Sequence, residues 1–187
     1  MAKLVGKRYA EALFEVALEY DKLEEYKQEI IEVSKVFESE PKLKTIFEHP
    51  KLTKNEKKDI INSLFKGKIS QEILNLLYIV VDKGRERYLS YIKDEYVALS
   101  NEKLGIIEAK AVTAVPMTEE EKSKLQDNLS NKFGKRVILE NIVNEEIIGG
   151  VLVKIEDKVI DNSIKGQLDN IEKELKNVKV EKIGVKS

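Results

Sequence analysis

The sequence predicts a mainly α protein: an N-terminal six-helix bundle over residues 1–105, followed by a small C-terminal α/β module over residues 106–187. Three observations carry this reading. Up to Gly105, apolar residues recur at alternating spacings of three and four, which places them on one face of successive helices. In "GIIEAKAVTAVP", from Gly105, the period drops to two, which marks a strand. Hydrophobic residues make up 42% of the chain and charged ones 36%, so a core is available and the outer helix faces are heavily solvated.

The first helix covers Val5 to Tyr20. Asp21, with Glu24 three residues on, has the spacing of a capping box for the second, whose stripe is Leu23, Tyr26, Ile30, Val33 and Phe37. Pro41 suits the first turn of a short third helix, where its missing N–H costs nothing, and Pro50 stops it after Leu43, Ile46 and Phe47. Thr53 and Glu56 form a second capping box, and Gly67 ends the fourth helix. The fifth runs from Ser70 to Lys83 and stops at Gly84; the sixth carries Leu89, Ile92, Tyr96 and Leu99 and stops at Gly105. In the module, Ile107, Ala109, Ala111, Thr113 and Val115 share one side of a strand closed by Pro116. Thr118 and Glu121 cap a helix bearing Leu125, Leu129 and Phe133 and ended by Gly134. "KRVILENIV" and "GGVLVKI" are two further strands, "EDK" (Glu156–Lys158) is a hairpin turn, and Ile164, Leu168, Ile171 and Leu175 line a last helix before a short polar tail.

Charge and residue content exclude several classes of function. Lys and Arg number 33 against 34 Asp and Glu; residues 1–105 hold 19 of each sign and the remainder 14 basic and 15 acidic. Neither half has the basic excess that draws a protein to nucleic acid or to an anionic membrane surface. There is no cysteine for disulfide or thiol chemistry, and the single histidine, His49, lacks metal-ligand spacing and reads as a surface or helix-end residue. No apolar run approaches the roughly 20 residues that span a bilayer. The start, with Glu11, Glu15 and Glu19, is not of the signal-peptide or acid-poor presequence type, so the expected compartment is cytoplasmic.

Two helices carry more apolar surface than one core-facing stripe requires. On a wheel of about 3.6 residues per turn, Val5, Tyr9, Ala10, Ala12, Leu13, Phe14, Val16 and Ala17 cover an arc of roughly 200°, against the roughly 100° of a surface helix. Ile73, Leu74, Leu76, Leu77, Tyr78, Val80 and Val81 of the fifth helix spread as widely, and Ile79 lies outside that arc. Two explanations stand open. Both helices sit centrally and bury everything, or the outer parts of the two arcs form a groove for a partner's amphipathic helix, with Ala10 and Ala12 admitting a close backbone.

The stretch "GGVLVKIEDKVIDNSIKGQL" (Gly149–Leu168) raises the question of a phosphate or calcium site. A phosphate cradle places glycines at a helix start, but Gly149 and Gly150 lead into a strand, and "KGKI" at Lys66–Ile69 lacks the rest of a P-loop. Asp157 and Asp161, with Val159 and Ile160 between them, do not alternate oxygen ligands as a calcium loop must. The glycine pair therefore marks a strand start, bulge or tight approach. Asp161, Asn162 or Ser163 caps the last helix, and Gly166, unfavourable by about 1 kcal/mol against Ala so early in a helix, is kept by a packing constraint. No constellation for catalysis, cofactor binding or metal binding emerges.

"GKRYAEALFEVALE", "LLYIVVDKGR" and "IIGGVLVKIEDKVIDNSIKGQLDNIEKEL" together resemble the delta subunits of bacterial F-type ATP synthases, relatives of the mitochondrial oligomycin-sensitivity-conferring protein, over essentially the whole chain. The most specific part is the closing motif of glycine pair, alternating strand, V-I-D and S-x-x-G-x-L, which picks out Gly149, Gly150, Asp161, Ser163, Gly166 and Leu168. Asn144 stands where an acidic residue is frequent, and Lys165 where arginine is usual. The resemblance implies a non-catalytic stator subunit without cofactor, present once in a hetero-oligomer on the cytoplasmic side of the bacterial cell membrane, not inserted into it. It implies that the bundle binds the N-terminal helix of an alpha subunit between its first and fifth helices, and that the module holds the C-terminal ends of the b subunits. The residues expected to face alpha are Tyr9, Ala12, Leu13, Val16, Leu76, Ile79 and Val80.

Other readings are an RNA-binding regulator, which the even charge does not favour, a small hydrolase or transferase built on the module, for which no converging polar pair is visible, and a helical adaptor of another complex.

Overall fold

Recurrence at three and four winds the first part of the chain into α1 (Ala2–Glu19), α2 (Leu23–Ser39), α3 (Pro41–Glu48), α4 (Lys54–Phe65), α5 (Gln71–Asp82), a 3₁₀ turn (Glu86–Tyr88) and α6 (Leu89–Leu104). The computed structural model describes residues 2–48, 52–145, 147–155 and 158–177. His49, the helix stop expected at Pro50, most of the Glu156–Lys158 turn and the tail beyond residue 177 lie outside the described residues. The chain divides into two units between Leu104 and Gly105.

The core of the first unit gathers Ala10, Leu13 and Ala17 of α1, Tyr26, Ile30 and Val33 of α2, Ile61 and Phe65 of α4, the apolar face of α5, and Leu89, Ile92 and Tyr96 of α6. α1 packs chiefly along α6. Gly6 sets how close they lie: a Cβ added there would stand 2.8 Å from Tyr91 Cβ and 3.0 Å from the Tyr91 carbonyl carbon. Both capping boxes with threonine form as expected. The Thr53 N–H donates to Glu56 Oε2 at 2.8 Å and the Glu56 N–H to Thr53 Oγ1 at 3.3 Å; Thr118 and Glu121 repeat the pair at the same distances.

The expected box at Asp21 and Glu24 does not form. α2 starts at Leu23, and its preceding residue, Lys22, makes no side-chain cap bond. Asp21 instead closes α1 in the left-handed region, with φ +55°. The Lys22 N–H reaches back to the Ala17 carbonyl at 2.9 Å and the Asp21 N–H to that of Leu18 at 3.3 Å. This is a Schellman ending, in which aspartate takes the place usually held by glycine because its short polar side chain tolerates that conformation. Glu24 accepts from Gln28 Nε2, one turn on.

The second unit contains β1 (Ile106–Thr113), α7 (Glu119–Phe133), β2 (Arg136–Val143), β3 (Gly150–Ile155), β4 (Lys158–Ser163) and α8 (Ile164–Asn177). The sheet order is β2-β1-β3-β4, with β1 parallel to β2 and the other pairs antiparallel. The sequence pattern predicts three strands. The fourth, β4, escapes it because "KVIDNS" is polar at its end and two of its residues, Asp161 and Ser163, also serve the helix that follows. α7 lies on one sheet face, where Leu125, Leu129 and Phe133 meet Ile107, Ala109, Ala111, Val137, Leu139, Val153 and Ile155. Val115, expected on that side of the strand, falls beyond β1 and is exposed. On the free edge of β2, the Val137 N–H donates to Ser130 Oγ and the Leu139 N–H to Gln126 Oε1, so α7 side chains satisfy donors that no strand pairs.

Candidate functional site

Helix α5 is held at both ends by its neighbours. At its start the Glu29 carboxylate of α2 accepts the Ser70 N–H at 2.9 Å and the Ser70 hydroxyl at 2.5 Å, a cap supplied from another helix. At its end Lys54 Nζ donates to the Asp82 carbonyl at 2.8 Å and Lys58 Nζ lies 2.7 Å from the Asp82 carboxylate, cations at the negative end of the helix dipole. Gly84, at φ +62°, turns the chain so that the Arg85 N–H bonds the Val80 carbonyl at 2.9 Å. The Arg85 guanidinium then lies over the Tyr9 ring of α1, 5.9 Å from its centroid.

Of the seven residues expected to face a partner, Leu13 (5% exposed), Leu76 (7%) and Val80 (2%) belong to the core and offer no free surface. Their arcs are wide because α1 and α5 touch several helices each, so much of the apparent excess is used internally. Tyr9 and Val16 are half-buried against the same core, whereas Ala12 is exposed and Ile79 is 48% exposed. What remains accessible is thus the outer edge: Tyr9, Ala12 and Val16 on α1 and Ile79 on α5.

The closing motif is a corner between β3, β4 and α8. The Asp161 carboxylate accepts the Ser163 N–H at 2.9 Å and its hydroxyl at 2.6 Å, and Ser163 Oγ in turn accepts the Gly166 N–H at 3.0 Å. Ser163 is therefore the residue that caps α8, and Asp161 orients it. The Ser163 hydroxyl first, and its backbone N–H second, hold the Asp161 carboxyl below the usual carboxylate range. A Cβ on Gly166 would stand 2.7 Å from the Asp161 carboxylate; the constraint on this glycine is the cap itself. Gly150 has φ +79°, and a Cβ there would clash with the Asn162 carbonyl oxygen and lie 2.9 Å from Ser163 Cα. The Gly149 carbonyl accepts the Ile164 N–H at 3.0 Å, and a side chain on Gly149 would meet Ile164 Cδ1 at 2.8 Å. The pair lets the start of β3 lie flush against the β4–α8 corner.

Leu168, the last residue of that motif, takes no part in the corner. It is 56% exposed, and Ile164 (44%), Ile171 (52%) and Leu175 (69%) continue the same face of α8. This helix contacts β4 and leaves its apolar stripe in solvent. Residues missed by sequence reasoning include Glu29 and Asn141, while Arg85 enters it only as the end of "LLYIVVDKGR", with no contact assigned. The Asn141 side chain bonds the Ala111 carbonyl, Thr113 Oγ1 and the Met117 N–H, tying down the chain after β1. Gly6 did give a signal, a glycine inside an otherwise strong helical run.

The remaining shifted carboxyls, Glu56 and Glu121, are lowered by the backbone and then the hydroxyl bonds of their capping threonines. Among the described residues no group of three or more His, Cys, Asp or Glu side chains converges as a metal site, and no helix is long and apolar enough to cross a membrane.

The chain is thus a two-unit scaffold, an all-α bundle followed by an α/β module, whose marked carboxylates serve as helix caps. Residues 5–175 match the family model of the ATP synthase delta (OSCP) subunit, and the chain belongs to that family. It is 44% identical over 180 residues to ATP synthase subunit delta of Alkaliphilus oremlandii (strain OhILAs), covering 96% of this chain and 100% of the relative. Subunit delta of Alkaliphilus metalliredigens (strain QYMF) is 41% identical over 175 residues, 94% of this chain and 97% of that one. A chain in a cryo-EM structure of the Toxoplasma gondii mitochondrial ATP synthase hexamer shares the fold, with TM-score 0.65 and 20% identity over 91% of this chain and 96% of that chain.

Proposed function

We propose that this protein is a non-catalytic peripheral-stalk subunit of an F-type ATP synthase, on the cytoplasmic side of the bacterial membrane. Its bundle grips the N-terminal helix of an alpha subunit and its module holds the C-terminal ends of the b subunits. Torque from the central rotor would otherwise turn the catalytic head along with it, and ion flow would yield no ATP. The observation that carries the reading is the near end-to-end similarity to subunit delta of Alkaliphilus oremlandii. Two features of the molecule support it. An apolar edge stays accessible on α1 and α5, at Tyr9, Ala12, Val16 and Ile79, and an apolar stripe lies open along α8. Contacts of this kind hold under load without strong dependence on salt, because burial of apolar surface is not screened.

Calorimetry of the full chain with an alpha-subunit N-terminal peptide tests the first joint. Ala12→Trp fills the edge with bulk and should weaken capture at least tenfold while the far-ultraviolet circular dichroism stays unchanged. Unaltered affinity would sink the α1–α5 assignment. For the second joint, Ile171→Asp in α8 should abolish retention of a fragment from the C-terminal end of b without affecting the alpha peptide.

A further inference from the structure

A cavity of about 390 Å³ opens in the first unit among α2, α3, α4, α5, the 3₁₀ turn and α6. Its depth is lined by Phe47, Ile61, Leu77 and Val81, each no more than 2% exposed. Phe37 closes one wall, edge-on to Phe47 with ring centroids 5.0 Å apart and stacked on Phe65 at 6.1 Å. The exposed mouth carries Glu38, Arg87 and Ser90. This volume is not ordinary packing slack. Protein interiors hold few voids larger than a water molecule, which occupies about 30 Å³ in the liquid, whereas small-molecule pockets start at about 300 Å³.

The charges around the mouth decide what class of molecule fits. Glu86, also in the lining, is paired with Lys57 at 2.7 Å, with both side chains largely buried. Glu38, which accepts the Ser34 hydroxyl at 2.9 Å, and Arg87 bring one formal charge of each sign to the mouth. The sum is zero, so the site favours neither an anion nor a cation, and its apolar depth excludes both. A polar end group would still find hydroxyl, carboxylate and guanidinium partners at the mouth.

We infer that this cavity is a binding site for an uncharged, largely apolar small molecule with its polar end at Glu38, Arg87 and Ser90. Of the seven residues expected to face alpha only the buried Val80 also lines the cavity; the accessible ones, Tyr9, Ala12, Val16 and Ile79, do not. Leu77 and Val81 lie roughly 160° around α5 from the exposed Ile79, at about 100° per residue. The inference does not rest on the stator reading.

The test titrates the full chain with phenylnaphthylamine, an uncharged fluorescent probe, and with anilinonaphthalene sulfonate, its charged counterpart. The uncharged probe should bind with one-to-one saturation and at least tenfold more tightly than the sulfonate. Ser90→Trp, at the exposed mouth, should weaken it at least tenfold with the helical signal intact. Ala12→Trp should leave it unchanged even where peptide capture is lost. Independently of any variant, methyl resonances of Ile61 and Leu77 should move on probe addition while those of Leu168 and Ile171 in α8 stay. Equal binding of the two dyes, non-saturating uptake, or shifts confined to α8 would overturn the proposal.

Discussion

The guanidinium of Arg85 sits over the ring of Tyr9, 5.9 Å from its centroid, and joins two segments that lie far apart in the sequence. Tyr9 belongs to the opening "RYAEAL" run and Arg85 to "KGR" after α5. The contact latches the end of α5 onto α1 beside the edge proposed to receive a partner. Arg85→Ala should lower stability by about 0.5–1 kcal/mol, the usual size of a partly exposed cation–π contact, and Arg85→Lys by less. Urea unfolding measures both; equal losses would mean that the guanidinium plane, which lysine lacks, matters and that charge and stem alone do not.

Gly166→Ala reverses an ordinary expectation. Inside a helix this change normally stabilises by about 1 kcal/mol. Here the added methyl would displace the Asp161 carboxylate that orients Ser163. The expected result is a net loss of about 1–2 kcal/mol, the range of a lost cap, with faster amide exchange in the first turn of α8.

Gly150→Ala should be more damaging. The position combines φ +79° with backbone of β4 where a Cβ would stand. A loss of at least about 2 kcal/mol is expected, from a strained left-handed residue together with a backbone shift. Chemical denaturation followed by a probe in the second unit reads it.

Gly6→Ala tests the α1–α6 approach. Helix propensity alone predicts a gain of about 1 kcal/mol, but the methyl would meet Tyr91 at 2.8 Å. Overpacking of this kind costs about 1–3 kcal/mol, so the variant should be less stable than the parent, and Gly6→Ala paired with Tyr91→Gly, which removes the Cβ that the methyl meets, should cost less than the sum of the two single changes. Thermal unfolding of the four chains closes the cycle.

Tyr96 should contribute to the loss of stability in alkali, beside Tyr26, whose hydroxyl burial also raises. Burial pushes its hydroxyl from 10.0 up to about 12, and its hydroxyl donates to the Leu23 carbonyl at 3.2 Å. The folded state holds the proton after the unfolded chain has released it, so stability is complete below pH 10 and falls as pH rises from 10 toward 12. Tyr96→Phe should be less stable at neutral pH yet lose less on going to alkali. A circular dichroism melt repeated across that range decides it; an unchanged slope would mean that other groups carry the alkaline loss.

The sequence by itself determined the succession of helices, the change of period at Gly105, both threonine caps and the left-handed helix ends at Gly67, Gly84, Gly105 and Gly134. These features are local: a hydroxyl and a carboxylate three residues apart, or a glycine after an apolar run, act within one turn of chain. Tertiary structure alone decided which apolar residues are spent in the core. Leu13, Leu76 and Val80 could not be told from Ala12 and Ile79 on a wheel, because exposure depends on which neighbours arrive and at what distance. The same holds for α8, whose stripe reads like any core-facing helix and yet stands open, and for Asp21, where the chain ends one helix before it can begin the next. Caps and turns are settled by bonds a few residues long. Burial is settled by surfaces that meet only after the chain has folded.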